Sequence, residues 1–206
     1  MLPTQPEALL AWLHQRLSGV EQIVAADVQT NAHRPAAVLI GLVLHPDEVT
    51  VLLTQRALHL SVHAGQVSFP GGALEESDAD LVAAALRETE EEVGIPAHWI
   101  RPIATLGEYH TISGFCVTPV LASLSPGYPI KPDPNEVAEV FELPLSVLLD
   151  PNRYQKRWVE RNGVRGTTHF LDYADRTVWG ATAGMLLQLS HLLGLEGIPE
   201  DKTTES

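Results

Sequence analysis

FPGGALEESDADLVAAALRETEEEVGI, residues 69–95, is the stretch whose reading decides the fold. It opens on a Pro-Gly-Gly turn, passes through an acidic loop and becomes a helix rich in glutamate. Gly94 marks the end, as glycine does just past a helix C-terminus. Ser77 and Asp78 are the expected start, because either side chain can cap free backbone N–H groups. At about 100° per residue, Val82, Leu86, Thr89 and Val93 fall on one stripe, which is expected to face a core. Glu88, Glu91 and Glu92 fall on another arc, related as i, i+3 and i+4. Arg87 stands four residues before Glu91 and can pair with it. Acids this close repel, and a hard divalent cation such as Mg²⁺ or Mn²⁺ turns that repulsion into binding through oxygen ligands. An acidic helix face with no further context is more often simply solvated. Here the glycine turn before it and the RExxEExG order within it favour a metal site.

This stretch resembles the Nudix hydrolase box, G-x5-E-x7-R-E-U-x-E-E-x-G-U with U apolar. Arg87, Glu88, Glu91, Glu92, Gly94 and Ile95 match it residue for residue. Thr89 stands where an aliphatic residue is usual, and the loop is one residue longer, which puts Asp78 or Glu76 in place of the box glutamate. Upstream, LLTQRALHLSVHAGQVSFPGG (52–72) resembles the coenzyme A pyrophosphatase branch of the family, which reads LLTxRxxxLxxHxGxVxFPGG; an aspartate near position 78 is also usual there. Ser61 departs from a frequently basic position. WGATAGML (179–186) resembles the same branch.

The resemblance implies an α/β protein: an α/β/α sandwich with a mixed β-sheet and the box helix lining the active-site cleft. It implies a metal-dependent pyrophosphohydrolase that cuts coenzyme A, and possible derivatives of it, into 3′,5′-ADP and 4′-phosphopantetheine. Splitting a P–O–P bond requires neutralised charge, an activated water and in-line geometry. Glu88, Glu91 and Glu92 are the candidate ligands for Mg²⁺ or Mn²⁺. The Gly71 carbonyl can add a ligand, because a glycine turn lets backbone approach an ion. Arg87 orients a glutamate. Arg56 is the candidate phosphate contact by charge-assisted hydrogen bonding, with His63 beside it in the substrate-binding set. In the family a segment similar to 135–150 carries an acidic residue that can approach the metals, and Glu136 and Glu139 are the candidates here. The base that takes the water proton stays open among these acids. Two other functions stay open as well: hydrolysis of another nucleoside diphosphate derivative, such as ADP-ribose or a dinucleotide, and a non-catalytic nucleotide-binding module. The intact RExxEE counts against the last.

The chain has 206 residues, room for one domain with a sizeable core, and its 45% hydrophobic and 19% charged content is that of a globular protein. A net charge of −13 argues against nucleic acid and anionic membranes as partners, but not against a phosphorylated small molecule bound through a metal. The one cysteine, Cys116, excludes an intrachain disulfide and reads as a buried small residue. The N-terminal residues lack a secretory pattern and no apolar run reaches membrane-span length, so a soluble cytoplasmic protein is the expectation.

The organisation is expected to be an N-terminal helix and lead-in (1–34), a hydrolase domain (35–195) and a flexible tail (196–206). Residues 6–19 carry Leu9, Leu10, Trp12, Leu13 and Leu17 at helical spacing; that stripe suits either its own domain or a homodimer contact. Residues 20–34 read as polar and irregular. The runs 35–44 and 49–55 predict a strand hairpin, 100–106 and 115–124 two more strands, and 107–114 a loop able to reach the site. Residues 137–143 alternate as a strand before a helical turn at 146–149. Asn162-Gly163 predicts a hairpin within 154–173, and 181–195 a C-terminal helix.

Overall fold

A computed structural model describes residues 2–19, 25–26, 34–161 and 164–203. The chain begins with helix α1 (Pro6–Leu17) and strands β1 (Ala25–Ala26), β2 (Arg34–Leu44), β3 (Val49–Arg56), β4 (Val67–Ser68) and β5 (Gly71–Ala73). Helix α2 (Leu81–Val93) follows, then β6 (Ile100–Thr105), β7 (Tyr109–His110), β8 (Phe115–Leu124), β9 (Val137–Pro144) and the single turn α3 (Leu145–Leu148). The C-terminal part holds β10 (Gln155–Arg161), β11 (Val164–Tyr173), β12 (Arg176–Trp179), helix α4 (Ala181–Leu192) and β13 (Glu200–Asp201).

The two longest apolar runs become the central pair. β2 and β8 lie parallel and in register from Arg34 opposite Phe115 to Val43 opposite Leu124. Strands buried on both faces read as continuous apolar stretches, which is why no clean alternation marks them in the sequence. The other long strands add antiparallel: β3 to β2, β9 to β3 and β6 to β8. The sheet is therefore mixed, as expected. On one face Ala37, Leu39, Val120 and Ala122 pack against Ala84, Ala85 and Val93 of α2. On the other, Ile40, Leu42 and Leu121 meet Leu9 and Leu13 of α1 and Met185, Leu186 and Leu189 of α4. Helices thus cover both faces of one sheet.

The α1 stripe is used inside the chain. Leu9 and Leu13 are fully buried in the main core, and the Arg16 guanidinium donates to the Leu193 carbonyl, 2.7 Å away. A second, smaller sheet has the order β12-β11-β10, all antiparallel, with the short β13 added parallel to β10. β10 and β11 pair through Arg161 opposite Val164, as a hairpin should; its Asn162-Gly163 turn lies outside the described residues. Of 20–33, only Ala25 and Ala26 are described, and they pair with Tyr109 and His110. The tail read as flexible is instead tied down in part. Glu200 and Asp201 run parallel to β10, and the Trp158 indole donates to the Thr203 carbonyl. Among the described residues, no helix is long and apolar enough to cross a membrane.

Two details of α2 differ from expectation. The helix starts at Leu81, capped by Asp80, whose carboxylate accepts from the Ala83 N–H at 2.8 Å; Asp78 is engaged elsewhere. The buried face is also rotated: Ala84, Ala85, Thr89, Glu92 and Val93 are buried, while Val82 and Leu86 are only half-buried. Alanine side chains let the helix approach the sheet closely, so they and not the larger residues mark the contact line. Thr89 stands in an aliphatic position because its hydroxyl donates to the Ala85 carbonyl one turn back.

One polar cluster closes the end of β3 and β9. Glu142 accepts from the hydroxyls of Thr50 and Tyr128 and lies 2.6 Å from His45 Nε2. Burial pushes its carboxyl up, but the three partners outweigh burial and hold it below the ordinary range. Two outcomes follow. Leu9→Ala should cost about 2–5 kcal/mol in urea denaturation, as for a full core leucine; a loss under about 0.5 kcal/mol would mean that α1 is peripheral. A depressed carboxyl stabilises fully above its unfolded pKa of about 4.3 and loses that contribution as pH falls through the folded value. Parent stability should therefore fall more steeply below about pH 4 than that of Glu142→Gln, read from denaturation midpoints against pH.

Candidate active site

The Pro-Gly-Gly turn and α2 meet through two close approaches. Gly71 has φ of +152°, and a Cβ there would stand 2.3 Å from the Ala37 carbonyl oxygen. Its N–H donates to Glu92 Oε2 at 3.1 Å. Gly72 lies against the carboxylate of Glu88, where a Cβ would come within 2.4 Å of it. So the two glycines serve different neighbours, one the sheet backbone and one a helix acid.

Arg87 binds the acidic loop to the helix. Its Nε and Nη2 donate to the two oxygens of Asp78, each at 3.0 Å, and Nη2 also reaches the Ala73 carbonyl. Its Nη1 donates to Glu88 and to Glu91 at 3.0 Å. Asp78, rather than Glu76, therefore occupies the place of the box glutamate, and the bidentate guanidinium holds its carboxyl below the usual range.

A cavity of about 1500 Å³ opens beside these elements. Arg56, His63, Gly71, Gly72, Glu88, Glu92 and Glu136 line one side. A further stretch of wall was anticipated only in part, through the 107–114 loop expected to reach the site. It is built by the tip of the β7–β8 hairpin (Thr111, Ile112, Ser113), by Arg165 and Phe170 of β11, and by Trp179. The Phe170 and Trp179 rings stack nearly parallel, centroids 5.5 Å apart. The part built by β11 had only the Asn-Gly hairpin as a sequence signal, and that says nothing of where a hairpin docks.

Glu92 is 5% exposed. Burial, joined by the charges of Glu136 and Glu88, pushes its carboxyl up to about 7, against the pull of the Gly71 N–H and Arg56. Burial likewise raises Glu88, with Arg87 opposing. Arg56 leaves β3 where the pairing with β9 shifts register, and such a bulge re-aims a side chain. Its Nη1 stands 3.9 Å from Glu92 Oε1, too far for a hydrogen bond. Its Nε is buried and makes no hydrogen bond among the described residues. Glu88, Glu92 and Glu136 share a stretch of wall on which Arg56 is the loosely engaged cation, so that stretch is short of positive charge. All their donors are hard oxygens, which fits Mg²⁺ or Mn²⁺.

Two expected site residues point elsewhere. Glu91 is mostly exposed, is held by Arg87 and does not line the cavity. One residue of helix separates it from Glu92 by about 100°, which turns it to the flank. Glu139 receives both of its hydrogen bonds from Arg176 Nη2, at 2.9 Å, and also lies off the cavity wall. Glu136 lies on the wall. His63 does too, with a positive φ of 59° and Nδ1 2.6 Å from the Gln66 side chain. Gly71 presents its N–H to Glu92, an interaction the sequence did not suggest. Burial and Glu108 push the Cys116 thiol up to about 11, which suits no nucleophile at neutral pH.

A family model described as the NUDIX domain matches residues 33–162. The Nudix hydrolase NudL of Escherichia coli, whose name carries the word uncharacterized, is 42% identical over 168 residues, 82% of this chain and 87% of that protein. The protein of the same name from Shigella boydii gives the same figures. Among solved structures, the Nudix hydrolase RenU of M. smegmatis is 27% identical with a TM-score of 0.44, covering 55% of this chain and 72% of that one.

The two glycines make separable predictions. Gly71→Ala meets backbone and should lose roughly 1–3 kcal/mol of stability, read as a lowered denaturation midpoint. Gly72→Ala meets only the end of a flexible side chain. It should fold with a near-parent midpoint yet bind Mn²⁺ about tenfold more weakly or worse by calorimetry. Equal Mn²⁺ affinity in Gly72→Ala would separate Glu88 from the ion.

Proposed function

The chain belongs to the Nudix hydrolase family, and we propose that it hydrolyses the diphosphate linkage of coenzyme A, releasing 3′,5′-ADP and 4′-phosphopantetheine. The observation that carries the hydrolytic part is the buried Glu92 beside Glu88 and Glu136 on the wall of a cavity that Arg56 also lines. The substrate rests on the segment 52–72, which matches the coenzyme A pattern from Leu52 through Gly72, and on the longer box loop ending in Asp78. The size of the cavity supports a substrate of that bulk.

A bound Mg²⁺ or Mn²⁺ would neutralise the diphosphate and make a water more acidic. Glu88 and Glu92 would hold it from adjacent turns of α2. Arg87 keeps Glu88 in place and never needs to touch substrate. The Gly71 N–H fixes one oxygen of Glu92, leaving the other toward the cavity. Arg56, which lines the cavity with Nη1 too far from Glu92 for a hydrogen bond, is the contact we assign to a substrate phosphate. Glu136 is the group we assign to accept the water proton, because Glu139 is held by Arg176. The stacked Phe170 and Trp179 offer a flat apolar surface to the rest of the substrate.

A panel of coenzyme A, ADP-ribose and a diadenosine polyphosphate, assayed with Mg²⁺ and with Mn²⁺ and read by product mass, tests the substrate. Coenzyme A should turn over fastest. Faster cleavage of ADP-ribose would move the proposal to another nucleoside diphosphate. Glu92→Gln should lower kcat by about a hundredfold or more with a denaturation midpoint at or above the parent's, whereas near-parent turnover would remove Glu92 from the ligand set.

A further inference from the structure

The β7–β8 hairpin gathers a second set of metal-ligating side chains that the proposed reaction does not use. His110 and Cys116 are direct cross-strand partners, so their side chains leave the strand pair on the same face. Glu108 precedes His110 by two residues, the spacing that returns a side chain to one face. One ligand atom from each of Glu108, His110 and Cys116 lies within 4.8 Å of the others. His110 Nε2 is 3.3 Å from Glu108 Oε2, and the thiol of Cys116 also hydrogen-bonds to Glu108.

We propose that Glu108, His110 and Cys116 form a binding site for a borderline divalent ion of the zinc class, separate from the carboxylates of α2. The donor set is the first reason. One sulfur, one imidazole nitrogen and one carboxylate oxygen suit Zn²⁺, whereas Mg²⁺ takes oxygen and avoids thiolate. Geometry is the second. Ligand bonds of about 2.0–2.3 Å around a tetrahedral ion place donor atoms less than about 4 Å apart, so small side-chain rotations close the present arrangement. Three protein donors leave the fourth position to water. Access is the third: Glu108 is exposed and the other two are half-buried, so an ion has an entry path.

Strand alternation keeps this site away from the cavity. Phe115 and Val117, the neighbours of Cys116, line the cavity, and Cys116 therefore faces the opposite side of the strand. An ion there would brace the hairpin from behind, while its tip at Thr111–Ser113 borders the substrate. Without an ion the same three side chains satisfy one another by hydrogen bonds, so the test must separate a metal site from that network.

Cobalt(II) is the probe, added to the reduced, metal-free, full-length protein. With one cysteine in the chain, a thiolate-to-cobalt charge-transfer band reports on Cys116 alone. One equivalent of Co²⁺ should raise the band, Zn²⁺ should remove it by displacement, and excess Mg²⁺ should not. The band should persist in Glu92→Gln, and its half-saturation should move about tenfold or more in His110→Gln. Absence of the band in the parent protein would overturn the proposal. So would a band insensitive to His110→Gln, or saturation at half an equivalent with a dimer on sizing, which would mean bridging between chains.

Discussion

One guanidinium allows two acidic segments to fold onto each other. The loop 75–80 and the second half of α2 are both rich in acids and without a shared cation would repel each other. Arg87 spans both, with Asp78 and the Ala73 carbonyl on the loop side and Glu88 and Glu91 on the helix side. That set of contacts fixes the height of β5 against α2. The height in turn brings Gly72 against Glu88 and the Gly71 N–H to Glu92. Lysine could not replace it, because a point charge has no fork to serve a bidentate aspartate and two further acids at once.

Much of the scaffold was legible because its signals are local. The runs at 35–44 and 115–124 are long and apolar enough to demand central strands, and the pairing of β2 with β8 follows them nearly end to end. Gly94 stopped the helix as read, in the left-handed conformation. What failed depended on contacts distant in sequence. Ser77, Asp78 and Asp80 are all competent caps, and only the demand of Arg87 for Asp78 leaves the role to Asp80. Glu136 and Glu139 look alike in the chain. Arg176, 37 residues from Glu139, separates them by pairing with one. The β11 share of the cavity wall was invisible for the same reason, since no periodicity encodes where that strand docks, whereas the 107–114 loop reaches the cavity as read.

The site holds its acids at a cost to the fold. Glu92 is buried on a helix face otherwise made of alanine, threonine and valine. Neighbouring acids make the charged form dearer still, and the Gly71 N–H returns only part of it. Buried like charges of this kind persist where a site must attract an ion. The polar cluster around Glu142 is the contrast. Its carboxylate is only half-buried, receives three partners and gains stability, with no share in the cavity.

The stacked pair on the far wall has a practical use. The chain has four tryptophans, and Trp179 is the one that lines the cavity. Its indole already shares a face with Phe170, so a molecule entering the cavity changes the polarity around a single fluorophore. Emission from that ring therefore gives a label-free signal of occupancy that can be followed in stopped flow, with Trp12, Trp99 and Trp158 replaced by phenylalanine to silence the background.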